Sequence, residues 1–208
     1  MGAMRVLVTG FGPFPGVPVN PSQQAVAELE RRADAGLLPG ILLSTGVLPV
    51  DFAIMPGQLA EMIRLGRPDV ILCTGVDMGA KAISVERMAT NLVDARIPDT
   101  SGAQPVDRPV VEGAPDGLLA TVPVKAIKAA IERGGIPVEL SLSAGSYACN
   151  AAMFTALHHA PKGTRAGFLH IPPVRVITPP TVAKALSAAI RACVTHETDL
   201  DEPGGELA

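Results

Sequence analysis

The sequence predicts an α/β fold of three layers, with helices on both faces of a twisted, mostly parallel central sheet. Two observations carry that expectation. Short aliphatic runs bounded by glycine, proline or polar residues alternate with segments whose apolar residues recur at helical spacing, and continuous apolar strands are the kind covered on both faces. The 208 residues, 48% hydrophobic and 18% charged, also suffice for one sizeable core. A single domain over 4–196 is expected, followed by an acidic, glycine-containing frayed tail over 197–208.

The elements follow in order. Met4 to Thr9 reads as the first strand. Asn20-Pro21 supplies an N-cap and a first-turn proline, after which Val26, Leu29 and Ala33 share a helix face. Ile41 to Val47 is the second strand. The helix of Leu59, Met62 and Ile63 stops at Gly66-Arg67-Pro68, and Asp69 to Thr74 is the third strand. Asp94 to Pro115, rich in proline and glycine, reads as one long loop of the kind that carries function. Val124, Ile127 and Ile131 mark a helix ending at Gly134-Gly135, and Pro137 to Leu142 is the fourth strand. A helix opening at Cys149 precedes the last strand, Ala166 to Ile171, and Val182, Leu186, Ile190 and Cys193 make a final apolar stripe.

Composition narrows the function. A net charge of -3 without a basic cluster argues against nucleic-acid binding. No apolar stretch approaches 18 residues and no signal-peptide pattern opens the chain, so neither membrane insertion nor secretion is expected. Three cysteines, Cys73, Cys149 and Cys193, do not look like a disulfide framework. The expected compartment is a reducing cytoplasm.

Chemistry concentrates at Ser143-Ala144-Gly145-Ser146-Tyr147-Ala148-Cys149-Asn150, where a run hands over through Gly145 and Ser146 to a cysteine opening a helix. Unpaired N–H groups and the helix dipole favour negative charge at such a position, which suits a nucleophilic thiolate. The alternative is a buried cysteine that only packs. A nucleophile needs a base and a group to orient that base. His158 and His159 share the Cys149 helix more than two turns on, and His196 falls near the tail. His170, at the end of a strand, is the remaining histidine. Sites in open α/β sheets gather beyond the carboxyl ends of parallel strands, where His170 and the Cys149 turn are both expected. Glu86, an acid within the apolar segment Ala82 to Ala89, is the candidate orienting group; pairing with Arg87 or Lys81 is the other reading.

The chain resembles the pyroglutamyl peptidase I (pyrrolidone-carboxylate peptidase) family from Met4 to about Val174. The resemblance rests on Val8-Thr9-Gly10-Phe11-Gly12-Pro13-Phe14 with Asn20-Pro21, Ile83-Ser84-Val85-Glu86-Arg87 running to Asn91, Asp94-Ala95-Arg96-Ile97-Pro98-Asp99, Tyr147-Ala148-Cys149-Asn150 and Phe168-Leu169-His170-Ile171-Pro172. It implies a phosphorylase/hydrolase-like sheet and a Glu86, Cys149, His170 triad. The implied reaction removes an N-terminal pyroglutamyl residue from peptides through a thioester. Phe11 and Phe14 become aromatic walls and Asn20 a polar pocket residue, with Ile97, Tyr147 and Ala148 lining the pocket and Arg96 close by. No metal and no cofactor is implied, and the expected assembly is a homodimer or homotetramer.

The chain departs from the family pattern at Gly12, where a glutamate is usual, at Pro15-Gly16 in place of a glycine pair, at Val76 for a glutamine and at Ala80 for an arginine. Val76 and Ala80 motivate one alternative, a catalytically weakened lactam-binding protein; a second, another α/β cysteine amidase, stays open because one fold hosts many chemistries.

Overall fold

The computed structural model describes residues 2–205. In chain order it contains β1 (Met4–Phe11), α1 (Pro21–Asp34), β2 (Ile41–Leu48), α2 (Met55–Gly66), β3 (Val70–Val76), β4 (Ile83–Glu86), β5 (Met88–Thr90), β6 (Gly117–Leu119), α3 (Val124–Arg133), β7 (Val138–Ser141), α4 (Ala148–His159), β8 (Arg165–Ile171) and α5 (Pro179–Thr195). The main sheet has the order β2-β1-β3-β8-β4-β7, and β5 and β6 form a small separate pair.

Alternation along the buried strands builds the three layers. Val6 and Val8 of β1 pack with Val26 and Leu29 of α1, Ile127 of α3 and Leu186 of α5. Leu7 and Phe11, on the opposite face, pack with Leu59 and Ile63 of α2 and Phe154 of α4. The apolar stripes are therefore satisfied by helices on both sides, as a parallel sheet requires. α1 starts where the sequence indicates: the Asn20 side-chain oxygen Oδ1 accepts from the Ser22 N–H at 3.0 Å, with Pro21 next in line.

One consequence of this layering places the functional cleft. α1 leads from β1 to β2 over one face, and α2 leads from β2 to β3 over the other. β1 and β3 are neighbours, yet their pairing stops at Thr9 and Cys73. Beyond that register β1 continues beside β2 to Phe11, and β3 continues beside β8 to Val76. A crevice opens between the parting strand ends, at the switch point of the sheet.

Three features differ from the sequence expectation. Ile83–Glu86, left unassigned above, is a strand between β8 and β7, antiparallel to β8 and parallel to β7. β7 thus runs against β8, and the Cys149 turn does not extend the carboxyl end of a strand parallel to β8; residues 142–147 carry the chain back to the His170 end instead. His170 lies near the end of β8, as expected, paired with Gly75.

The third difference concerns the expected frayed tail. Residues 206–208 of it lie outside the described residues, but Asp199 is docked: its carboxylate accepts from the N–H groups of Lys125 and Ala126 at 3.0 Å each. Pro123, at the N-cap of α3, offers no side-chain hydrogen bond, so Asp199 supplies from 74 residues away what a local Ser or Asp usually supplies. Lys125 Nζ fastens the same segment by donating to the Leu200 and Glu202 carbonyls. Asp199→Ala is expected to cost about 1 kcal/mol and to lower Tm by roughly 2–4 °C, read by thermal circular dichroism. An unchanged Tm would show that the cap contributes nothing.

Candidate active site

Cys149 is the second residue of α4, whose N-cap, Tyr147, is extended and makes no capping side-chain hydrogen bond. First-turn N–H groups of α4 are left without a capping side chain, and they sit beside the thiol. The chain reaches this start through Gly145 at φ 78°, a left-handed value that favours glycine. Ser146 then locks the approach: its hydroxyl donates to the Asp94 carbonyl at 2.9 Å, and its own carbonyl accepts from the Asp94 N–H at 2.9 Å. Cys149 is partly exposed, whereas Cys73 and Cys193 are fully buried and burial pushes both thiols up to about 12.

His170 is brought to Glu86 by the antiparallel pairing the sequence did not reveal. In the β4–β8 register Glu86 faces Phe168 and Ser84 faces His170, so Glu86 and His170 are diagonal neighbours on one sheet face. Their side chains meet at 2.8 Å, Nδ1 donating to Oε1, and both are buried. Neither alternative partner holds Glu86, and its second oxygen, Oε2, is buried without a partner. The Phe168 ring packs beside the imidazole, with centroids 4.8 Å apart.

Cys149 completes the group. Gly75 pairs with His170 across β3 and β8, so a side chain at 75 would project from the same face as the imidazole. A Cβ built there would lie 2.6 Å from Cys149 Sγ. The sulfur therefore occupies the space over Gly75, beside His170. Burial alone would lower the His170 pKa, but the charge of Cys149 and its hydrogen bond to the imidazole, with the Glu86 interactions added, outweigh it and raise the value from 6.5 to about 10. The raised value favours the imidazolium form of His170 at neutral pH, between the Cys149 sulfur and the Glu86 side chain.

The crevice between β1 and β3 adjoins this group. Phe11, Phe14, Asn20, Tyr147 and Ala148 line it together with Cys149, as expected, and Val50 and Val76 complete the lining. Arg96 and Ile97 do not line it; they lie on the exposed loop behind, Ile97 at 39% exposure. Among the described residues no Asp, Glu, Lys or Arg lines the cleft. The Asn20 amide is held by three bonds: its oxygen accepts from both the N–H and the hydroxyl of Ser22, and its nitrogen donates to the Gly12 carbonyl at 2.9 Å. One amide N–H is left for a ligand, and it can only donate.

Val50 belongs to a wall that no local sequence signal marks. Its carbonyl accepts from the N–H and hydroxyl of Thr100, both at 2.9 Å. Asp99, which accepts from Phe52 N and from Ser101 and Ala103, fastens the same loop to the start of α2. Burial would raise the Asp99 carboxyl, but these hydrogen bonds outweigh it and hold it below the usual range. Asp99 is thereby committed to the wall and is not available to His170. Tyr147 joins the same wall, its hydroxyl donating to the Pro98 carbonyl at 3.1 Å and its ring meeting Phe52 edge-on at 5.2 Å.

Comparison with known proteins agrees with this geometry. The family model described as pyroglutamyl peptidase matches residues 4–195. The chain is 39% identical to a pyrrolidone-carboxylate peptidase of Clavibacter michiganensis, covering 97% of this chain and 98% of that protein. It is 45% identical to one of Thermococcus kodakarensis over 81% of each. Among solved structures it superposes on pyroglutamyl peptidase I of Bacillus amyloliquefaciens with a TM-score of 0.85 at 34% identity, covering 95% and 100% of the two chains. For the pyrrolidone carboxyl peptidase of Thermococcus litoralis the TM-score is 0.88 at 32% identity, covering 96% and 99%.

The raised His170 value has a signed consequence. A base whose folded pKa lies above 6.5 stabilises the fold fully below 6.5 and loses that contribution as pH rises through about 10. Glu86→Gln keeps an acceptor for Nδ1 but removes the charge, so His170 is expected to titrate at lower pH in the variant, read by NMR of labelled imidazole. An unmoved titration would show that the carboxylate does not sustain the imidazolium.

Proposed function

The chain belongs to the pyroglutamyl peptidase family and is a cysteine peptidase that removes N-terminal pyroglutamyl residues from peptides; from that premise we propose that Cys149, His170 and Glu86 carry out the reaction at the β1–β3 crevice. The observation that supports this most is the convergence of a partly exposed thiol, a raised imidazole and a buried carboxylate beside an uncharged cleft.

The steps follow from the positions. The Cys149 thiolate attacks the pyroglutamyl carbonyl carbon and forms a C–S bond, while first-turn N–H groups of α4 hold the oxyanion. His170 Nδ1 is bound to Glu86, so Nε2 passes its proton to the departing amine nitrogen as the C–N bond breaks. A thioester remains. His170 then takes a proton from water, the hydroxide adds to the thioester carbonyl, and the C–S bond breaks to return the thiolate and free pyroglutamate. Glu86 holds the imidazole in one orientation throughout.

The cleft suits a lactam. Phe11 and Phe14 offer flat apolar walls, and the free Asn20 N–H can donate to the ring carbonyl. Val76 contributes only an apolar surface where many members carry glutamine, so polar recognition of the ring falls to Asn20 and the main chain. A prolyl residue has a similar ring but a protonated amine, which this cleft would have to desolvate without a partner acid.

A pyroglutamyl fluorogenic amide tests the assignment. The parent is expected to cleave it and to leave the prolyl amide intact. Cys149→Ala should abolish cleavage, whereas Cys73→Ala and Cys193→Ala retain it when folded. Comparable loss in folded Cys73→Ala, or equal cleavage of the two amides, would overturn the nucleophile or the pocket respectively.

The same reading extends to a single domain over 4–196 in the cytoplasm. Among the described residues no helix is long and apolar enough to cross a membrane, and all three cysteines are free. Large apolar side chains left at the surface, Leu42, Leu65, Leu119 and Leu142 among them, support a homodimer or homotetramer. Light scattering is expected to give two or four times the 21.4 kDa chain mass. A monomer at micromolar concentration would exclude assembly.

A further inference from the structure

Gly75 is needed for space and not for its backbone freedom, since it is absent from the residues of positive φ. A Cβ at this position would lie 2.6 Å from Cys149 Sγ, 3.0 Å from Phe168 Cζ and 3.5 Å from Phe11 Cδ2. Carbon–carbon contacts are optimal at about 3.5–4.0 Å. The first distance is therefore a clash, the second tight and the third ordinary. The three neighbours come from α4, β8 and β1, so one missing methyl group is shared by the thiol, the ring beside the imidazole and the pocket wall.

We propose that Gly75 is the positioning residue of the site: the empty volume over its Cα is the seat that holds the Cys149 sulfur against His170. This deepens the triad assignment and rests on it. The neighbours differ in how far they can yield. Phe168 is fully buried and packed against His170, so it has nowhere to go. Cys149 is partly exposed and its sulfur ends a rotatable bond. A methyl at 75 turns the sulfur out of its seat and away from the imidazole. Phe11 is at ordinary contact distance, so the pocket wall stays where it is. Chemistry and binding are thereby separated: a displacement of about 1 Å at a reacting atom costs about 10²-fold in rate, while ring recognition is untouched.

The test uses the full chain with Gly75→Ala, Cys149→Ala and the double variant. Gly75→Ala is expected to lower kcat by about 10²-fold with KM unchanged, and to lower the pH at which His170 titrates by NMR, because the sulfur no longer sustains the imidazolium. A thermal-unfolding cycle reads the seat without activity. Gly75→Ala should destabilise the parent clearly and the Cys149→Ala protein much less, since the clashing atom is gone. A Gly75→Ala chain that folds only in the Cys149→Ala background gives the same answer. Parental kcat, an unmoved His170, equal destabilisation in both backgrounds or failure to fold in both would overturn the proposal. Full hydrolysis by Cys149→Ala would instead overturn the triad assignment, and the stability cycle would still report on the seat.

Discussion

The parting of β1 and β3 after Thr9 and Cys73 is the constraint from which the site follows. Two strands that leave a shared register must be held apart by something on either side. Here β2 holds β1, through the Phe11–Leu48 pair, and β8 holds β3, through the Gly75–His170 and Val76–Ile171 pairs. The separation is stabilised by two complete ladders and not by a flexible loop. Phe11 and Val76 therefore face the crevice from rigid strand ends, and His170 is delivered by the same ladder that holds the gap open. A site built on strands keeps its geometry better than one built on loops.

Reversal of β4 against β8 adds the third group. An acid buried to this degree is tolerable only with a partner that returns what its lost hydration supplied. Glu86 has one such partner, His170 Nδ1, and no partner on Oε2. The imidazole in turn lies between the carboxylate and the thiol. Removing any member leaves an uncompensated charge or donor in a dry place, so the three groups act as a unit. Antiparallel pairing matters here because it sets Glu86 diagonal to His170 on one face, a relation that neither residue's own strand could produce.

The long loop from Asp94 completes the cleft from outside the sheet. Its hydrogen bonds run to Val50, Phe52, Ser146 and Tyr147, which belong to the end of β2, the start of α2 and the approach to α4. Through Asp99 one carboxylate gathers several N–H groups, so the loop is ordered by local satisfaction of its polar groups and not by a core of its own. Its exposed face, with Arg96 and Ile97, is left outside the cleft while its buried face fixes the wall.

Much of this was legible in the residues. Apolar runs and helical stripes are local patterns, and they marked five strands and the helices between them because burial on both faces leaves a continuous apolar signature. The capping residue Asn20, the cysteine opening α4 and the lone strand-borne histidine were likewise visible, since each is defined by its immediate neighbours. Tertiary structure decided the rest. β4 is four residues long, too short for its period to declare it, and its direction depends on a partner 84 residues away in sequence. The cap from Asp199, the wall at Val50 and the vacancy over Gly75 are relations between distant segments that leave no local trace. A glycine that serves a turn announces itself by its neighbours, whereas one that serves a space is recognisable only when the atoms that fill that space have arrived.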